Sequence, residues 1–165
     1  MNKVKQILKE YSIYIIIIIS IVLVRHFLFT TVKVNGDSMN NTLKNNDMMI
    51  LDKVNYIFND IERFDIVVIK KDNDYLIKRV IGLPGERIEY IDNKLYIDGK
   101  YIEEDFLESG THDFKDVVVD DEYYVMGDNR YNSIDSRVIG SISKKEIQGK
   151  TNLIIYPFNK FGKVE

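Results

Sequence analysis

The chain has 165 residues, which is enough for one domain with a hydrophobic core and too few for two full domains. Its 26 acidic and 23 basic residues are mixed along the sequence and give a formal charge of -3, so no basic stripe of the kind that binds DNA or RNA is present. The absence of cysteine excludes disulfides, thiolate metal sites and a cysteine nucleophile.

The first predicted element is a membrane-spanning helix. From Tyr11 to Phe29 the sequence reads YSIYIIIIISIVLVRHFLF, close to the ~20 residues that cross a bilayer, and its uncharged part ends at Val24. A buried core helix or the apolar region of a cleaved signal peptide has a similar length. Isoleucines fill every face of residues 15–19, however, and no small-x-small cleavage site follows Phe29. A permanent anchor is therefore the preferred interpretation.

Charges on the two sides of this segment predict its orientation. Arg25 and His26 at its far end are expected to reach toward the lipid headgroups. By the positive-inside rule, the lysines that precede the segment favour an N-terminus in the cytoplasm; these are Lys3, Lys5 and Lys9. Residues 1–29 then form a cytoplasmic tail and a single-pass anchor in the cell membrane, and residues 30–165 form an extracellular domain.

The extracellular domain is predicted to be mainly β, built from antiparallel sheets. Short strand-like runs recur between turn signals, and no long amphipathic helix is evident. The predicted strands are 31–35, 48–53, 65–70, 75–83, 87–91, 94–97, 117–119, 123–126 and 151–156. The polar segment of about 100–116 departs from the strand alternation and is interpreted as a small excursion from the main sheet.

Turn chemistry marks several boundaries. Asp92-Asn93 and Asp98-Gly99 are dipeptides suited to tight hairpins with positive φ. Leu83-Pro84-Gly85 reads as a turn that ends the strand before it. Ser143 and Glu146 have capping-box spacing, which predicts one or two helical turns closed by Gly149.

Ser38 and Lys78 stand in settings that suit a catalytic pair. A serine hydroxyl needs a base to accept its proton, and neither His26 nor His112 lies in a sequence context expected of an oriented base. A lysine can act as a base only when neutral, which requires burial to lower its pKa from about 10.4. Strand alternation places Lys78 on one side with the apolar Leu76 and Val80. A neighbouring arginine stays protonated in proteins and cannot take this role.

Three separated blocks of the sequence resemble those of type I signal peptidases, also called leader peptidases. The first block, GDSMNNTL, contains Ser38, and the second, IKRVIGLPGE, contains Lys78. The third and longest block is GDNRYNSIDSRVIG, from Gly127 to Gly140. With the preceding anchor, the resemblance covers nearly the whole chain. It implies an antiparallel β catalytic domain of the signal-peptidase, Ser/Lys peptidase type on one transmembrane helix.

The resemblance also implies a reaction and its residues. The reaction is removal of the signal peptide from exported preproteins at the outer face of the cytoplasmic membrane, without a metal or other cofactor. Lys78 takes the proton of Ser38, whose backbone N–H helps to hold the oxyanion. Ser133 matches a family serine that hydrogen-bonds and orients the lysine. A charged set around the site is implied as structural support, namely Arg79, Asp128, Asp135 and Arg137.

The implied partners are secretory preproteins and the lipid bilayer, and the oligomeric state is left open. Signal peptides usually have small residues at the first and third positions before the cut, which shallow apolar pockets fit. Family comparison points to Val34, Met39, Leu43, Leu76 and Ile77 as pocket or cleft residues. An extended substrate is expected to pair with the backbone of the strands carrying Asn35 and Leu76.

The chain departs from the family pattern at two positions near the nucleophile. Many members have proline where this chain has Asn41, so the turn after the nucleophile is expected to be less rigid. Some members have a serine at the position of Gly36, where it acts as a second oxyanion donor. Backbone or water would have to replace that hydroxyl here.

Two alternative functions are compatible with parts of this pattern. One is a catalytically silent, membrane-tethered homologue that binds substrates or helps to assemble surface structures, but such a protein would typically lack Ser38 or Lys78. The other is a relative of the soluble self-cleaving repressors, which use the same Ser/Lys chemistry. That class predicts an N-terminal DNA-binding domain, where this chain has its apolar segment.

Overall fold

The computed structural model describes residues 11–22, 29–53, 56 and 59–164. Residues 11–22 are helical and most of their side chains are exposed. Within the described part of the chain, no helix combines the length and the apolar character that a membrane crossing requires. The basic residues predicted to precede the anchor, together with Arg25 and His26, lie outside the described residues, so the anchor stays a prediction.

The described residues after this helix contain twelve strands, and the prediction of a mainly antiparallel β domain is confirmed. Their bounds are β1 Phe29–Lys33, β2 Met48–Asp52, β3 Ile66–Lys71, β4 Asp74–Gly82, β5 Arg87–Ile91, β6 Lys94–Ile97, β7 Lys100–Ile102, β8 Phe114–Val117, β9 Glu122–Met126, β10 Ile142–Ser143, β11 Ile147–Tyr156 and β12 Gly162–Lys163. The described residues also include a one-turn helix, Ser136–Ile139, and a 3₁₀ turn, Phe158–Lys160.

The strands form a large and a small sheet. The large sheet has the order β1-β2-β11-β3-β4-β9-β10, with β12 added to β11, and the small sheet has the order β7-β6-β5-β8. Strand β4 lies in the middle of the large sheet, where Lys78 pairs with Val67 of β3 and Arg79 pairs with Met126 of β9. Because β9 ends at Met126, the block that begins at Gly127 starts beside the lysine strand.

Two hairpins of the small sheet have the predicted turns. Asp92 and Asn93 both have positive φ between β5 and β6, and Asp98 and Gly99 do so between β6 and β7. Asx residues and glycine tolerate this conformation, which matches the right-handed twist of the strands they join. The dipeptides are therefore sufficient to locate both turns.

The structure corrects the prediction of a helix after Ser143. Glu146 does accept hydrogen bonds from the N–H and the hydroxyl of Ser143, as in a capping box. The residues between them form a turn that leads directly into β11, and Gly149 lies inside that strand at a register shift. A Cβ at Gly149 would lie 2.9 Å from the carbonyl oxygen of Asp52, so close approach of β2 explains the glycine.

Other departures concern short edge strands. Strands β7, β10 and β12 have no counterpart among the predicted strands, and β8 begins three residues before the predicted 117–119. Segment 100–116 contributes β7 and most of β8 to the small sheet. Strands of two to four residues carry too little alternation to be recognised without their partners.

Buried apolar side chains form three clusters. One lies within the large sheet and includes Val67, Ile69, Val80, Val125 and Ile147. A second, here called the junction cluster, joins residues of both sheets and includes Ile81, Ile88, Tyr90, Leu95, Ile97, Val118, Tyr124 and Met126. The third packs under the loop of residues 34–47 between β1 and β2, here called the nucleophile loop after the predicted role of Ser38. This cluster comprises Val34, Met39, Leu43, Met49, Ile66 and Ile154. The site described next lies where these clusters meet the loops.

Candidate active site

Ser38 and Lys78 are in direct contact. The Lys78 amine donates a hydrogen bond of 2.6 Å to the hydroxyl oxygen of Ser38, although the two residues are 40 positions apart. Lys78 is 2% exposed. Burial lowers its pKa below the ordinary value of 10.5, more strongly than Asp135 and Asp128 raise it, and Arg137 adds to the lowering. A buried amine of this kind can give up its proton and then accept the proton of the serine.

A second contact joins all three sequence blocks. Asp128, from the third block, is fully buried and accepts hydrogen bonds from Arg79 Nε at 3.0 Å and Nη2 at 2.8 Å. It also accepts a hydrogen bond from the hydroxyl of Thr42, in the first block. The geometry is that of a bidentate arginine–carboxylate pair, which fixes orientation as well as charge. Asp128 thus holds the nucleophile loop and the lysine strand in register.

Asp135 forms a similar buried pair with Arg137. Both Nε and Nη2 of Arg137 lie 2.8 Å from its carboxylate oxygens, and the N–H of Gly127 donates to it at 3.1 Å. Burial alone raises the pKa of Asp135, but hydrogen bonds, chiefly those from Arg137 and Gly127, outweigh this effect and leave the pKa below its usual range. Asp128 and Asp135 are therefore each paired with an arginine, which limits how far these carboxylates raise the pKa of Lys78.

The structure places Ser133 close to Ser38 without the expected bond to Lys78. Its hydroxyl oxygen is buried and meets no hydrogen-bond partner within normal geometry among the described residues, so the bond to Lys78 is not formed. A Cβ at Gly127 would lie 2.3 Å from this hydroxyl and 2.4 Å from the carbonyl oxygen of Ser38. Glycine at position 127 is therefore what allows Ser133 and Ser38 to approach each other.

Asn129 is not singled out by the sequence reasoning, yet it clamps the nucleophile loop. Its backbone N–H donates to the carbonyl of Ser38 at 3.0 Å, and its side-chain amide donates to the carbonyl of Asp37 at 3.1 Å. The backbone N–H of Ser38 donates to no described residue. The only sequence signal for Asn129 is its position inside the third block.

A groove of about 400 Å³ runs away from Ser38 along β1 and β2. Its lining includes six residues singled out from the sequence: Val34, Asn35, Gly36, Ser38, Met39 and Ile77. Leu43 is fully buried under the nucleophile loop, and Leu76 packs against the core of the large sheet, so neither lines the groove. Residues that sequence reasoning missed, among them Leu51, Lys53, Val68, Tyr75 and Gln148, complete the wall.

Comparison with known proteins identifies the family. The family model described as signal peptidase, peptidase S26, matches residues 6–156. The chain belongs to this family. It is an enzyme of the signal peptidase I type, a serine peptidase and hydrolase, so the resemblance drawn from the three blocks is confirmed.

Relatives match over most of the chain. Signal peptidase I S of Bacillus subtilis is 38% identical over an alignment of 176 positions, which covers 98% of this chain and 96% of the relative. Signal peptidase I V of the same organism is 43% identical over 152 residues, covering 80% and 90%. A crystal structure of a signal peptidase I from Enterococcus faecalis is 34% identical, with a TM-score of 0.53, covering 56% of this chain and 97% of that one.

Backbone geometry explains both departures from the family pattern. Asn41 has φ +101°, whereas proline fixes φ near −65°, so proline cannot occupy this turn as it stands. Gly36 has φ +95°, a value that side-chain-bearing residues rarely adopt, and its N–H donates to Asn45. The chain therefore reaches Ser38 through a left-handed glycine, where a serine would be strained.

Proposed function

We propose that this chain is a membrane-bound serine endopeptidase that removes signal peptides from exported preproteins, with Ser38 as nucleophile and neutral Lys78 as general base. The observation that carries the proposal is the 2.6 Å contact between the serine hydroxyl and a buried amine whose pKa is lowered. Signal peptidase I is also the printed name of the relatives. A silent homologue is disfavoured, because the groups needed for catalysis are present and in contact.

The chemistry follows from this contact. Lys78 accepts the proton of Ser38 as the serine oxygen attacks the carbonyl carbon before the scissile bond. The backbone N–H of Ser38, which donates to no described residue, is our candidate oxyanion donor. The protonated lysine then gives its proton to the departing amine, leaving an acyl-enzyme. The same lysine then takes a proton from water, whose oxygen attacks the ester carbonyl. As the ester bond breaks, the lysine returns this proton to the serine oxygen, and the peptide is released.

The charged residues are proposed to support the base without touching substrate. Asp128 and Asp135 favour the protonated lysine, and Arg79 and Arg137 balance those charges. Ser133 is proposed to orient Lys78 during the reaction, since its buried hydroxyl lies close to Ser38 and Asp135 and makes no hydrogen bond of normal geometry to a described residue.

The groove is proposed to hold the segment before the cleavage site in an extended conformation. Val34, Met39 and Ile77 give it apolar walls, and Leu43 and Leu76 shape it from behind. Backbone groups of the strands around Asn35 and Leu76 would pair with the peptide by β-augmentation. Shallow apolar walls favour small side chains at the first and third positions before the cut.

We propose that residues 1–29 hold a cytoplasmic N-terminus and an anchor in the bilayer, with the catalytic domain extracellular. The helical residues 11–22 support this, because isoleucines on all of its sides are about half exposed, for example Ile16 at 61% and Ile19 at 52%. A helix that is apolar all round needs an apolar environment, and the described domain does not cover it.

The decisive experiment is cleavage of a secretory precursor by the detergent-solubilised full chain. Ser38→Ala and Lys78→Ala should each reduce the rate by about 10⁴-fold or more, as is found when one member of a set of catalytic residues that act together is removed. Matched controls are Ser141→Ala, a half-buried serine, and Lys94→Ala, an exposed strand lysine; both should cleave like the wild type. Equal cleavage by Ser38→Ala, Lys78→Ala and the wild type would remove the catalytic assignment.

A further inference from the structure

Arg79 is held on every side. Besides its two bonds to Asp128, it donates from Nη1 to the carbonyl of Phe64 at 3.1 Å and from Nη2 to the hydroxyl of Thr42 at 3.3 Å. The ring of Phe106 covers the guanidinium, with its centroid 3.9 Å from the central carbon. This distance is well within the range of a cation–π contact, which adds to the hydrogen bonds that fix the arginine.

Phe106 comes from outside the large sheet. It lies in the irregular segment between β7 and β8 of the small sheet and packs against the junction cluster. Its ring meets the ring of Phe64 edge to face, with centroids 5.2 Å apart. Phe64 has φ +72°, a strained value for a bulky residue, in the conformation that presents its carbonyl to Arg79. Strain of this kind persists only where surrounding contacts hold it.

An open cavity of about 510 Å³ lies next to this arrangement. Its lining includes both Arg79 and Phe106 and also the carboxylates of Asp65, Glu103 and Asp105. Arg79 is nevertheless 2% exposed. Phe106 therefore lies over the guanidinium at the wall of an open cavity whose lining also includes acidic residues.

We infer that Phe106 is a positioning residue for the catalytic pair: by covering Arg79 it keeps this arginine on Asp128 and so sets the pH range in which Lys78 can act as the base. The inference rests on the proposed function of Ser38 and Lys78. It assigns a role in catalysis to the small sheet, from which none of the predicted site residues comes.

Removal of the Phe106 ring is expected to favour the protonated form of Lys78. The charged groups that act on Lys78 are Asp135 and Asp128, which favour its protonated form, and Arg137, which disfavours it. Arg79 neutralises Asp128 from the other side. Without Phe106, water reaches the pair, and Arg79 gains access to Glu103 and Asp105. The charge of Asp128 then acts on Lys78 with less compensation, and the lysine holds its proton to a higher pH.

The test is the pH profile of kcat/KM for precursor cleavage by Phe106→Ala. Its acid limb should move to higher pH by about half to one unit, while the alkaline plateau stays near that of the wild type; one unit corresponds to tenfold less activity on the limb. Phe106→Leu keeps an apolar cover and should move the limb by less. If Phe106→Ala does not fold, Phe106→Leu alone must show an upward movement.

Ile102→Ala is the matched control, because Ile102 packs against the same junction cluster and lines neither the cavity beside Arg79 nor the one beside Arg137. This variant measures the effect of lost packing alone, and the acid limb of its pH profile should lie at the same pH as in the wild type. A uniform loss of activity at all pH values in the Phe106 variants, or a limb that does not move, overturns the inference. The proposed function fails separately, and only if Ser38→Ala and Lys78→Ala still cleave.

Discussion

Two buried basic side chains in this protein have pKa values shifted in opposite directions. Lys78 in the large sheet and Arg130 next to the small sheet are each 2% exposed. Among the described residues, Lys78 donates one hydrogen bond, to Ser38, and its pKa is lowered by burial. Burial also lowers the pKa of Arg130, but Tyr90 and Glu104 outweigh this effect and the net shift is upward.

The difference lies in the partners that each side chain finds. Arg130 donates to Glu104, to the hydroxyls of Tyr90 and Thr111, and to the carbonyl of Gly127. A buried charge with this many partners stays charged and joins the small sheet to the loop that carries the third block. Lys78 has no carboxylate of the described residues in direct contact, so the neutral form is favoured. Burial alone therefore does not decide the charge of a side chain; the partners do.

The largest effect is expected when Lys78 is replaced by methionine. Activity should fall by about 10⁴-fold or more, because the base is lost, while the free energy of unfolding should rise, because a poorly solvated amine is replaced by an apolar side chain of similar length. Rate assays and urea unfolding on the same samples check both statements. A large loss of stability would show that the lysine is structurally required, and would contradict the difference drawn here between Lys78 and Arg130.

The stability difference should depend on pH. The pKa of Lys78 is lower in the folded than in the unfolded state, so the unfolded state binds the proton more tightly. Wild-type stability therefore falls as pH drops from the ordinary lysine pKa through the lowered one, and the loss is complete below it. A methionine side chain cannot titrate, so the advantage of Lys78→Met should be largest on the acid side. Urea unfolding of both proteins across this pH range measures it, and an advantage that grows toward alkaline pH would contradict the lowered pKa.

Arg130→Met should have the next largest effect and the opposite sign on stability. Removing one member of a buried pair leaves Glu104 uncompensated, which costs about 3–5 kcal/mol. Urea unfolding should register this loss. The double variant Arg130→Met with Glu104→Leu should recover part of it, since no lone charge remains. An unchanged unfolding free energy in the single variant would mean that Arg130 is not held as the contacts indicate.

The smallest effect concerns the wild-type pH profile. Only neutral Lys78 can act as the base, so kcat/KM should fall about tenfold per pH unit below the lowered lysine pKa. The midpoint of this limb should lie below 10.5, the ordinary value for a lysine. Precursor cleavage over a range of pH measures it. A profile that is flat from acid to alkaline conditions contradicts the role of the amine.

Much of the fold can be predicted from the local sequence. Strands with clear alternation, such as β4, and the hairpins at Asp92-Asn93 and Asp98-Gly99 agree with prediction, because side-chain period and turn residues act locally. The prediction of a helix after Ser143 is wrong, because the same hydrogen bonds to Glu146 form in a turn and in a helix. Strand β10 has two residues and exists only through its pairing with β9.

The amino-acid order alone determined the antiparallel β class and the pairing of one serine with one lysine, since three blocks carried the family pattern. Only the tertiary structure decided which charges Lys78 meets, because Asp135, Asp128 and Arg137 act on it through space. It also decided that Leu43 and Leu76 do not line the groove and that Phe106 covers Arg79. Side chains distant in sequence meet only when the sheets pack, and the local pattern around each of them carries no record of that contact.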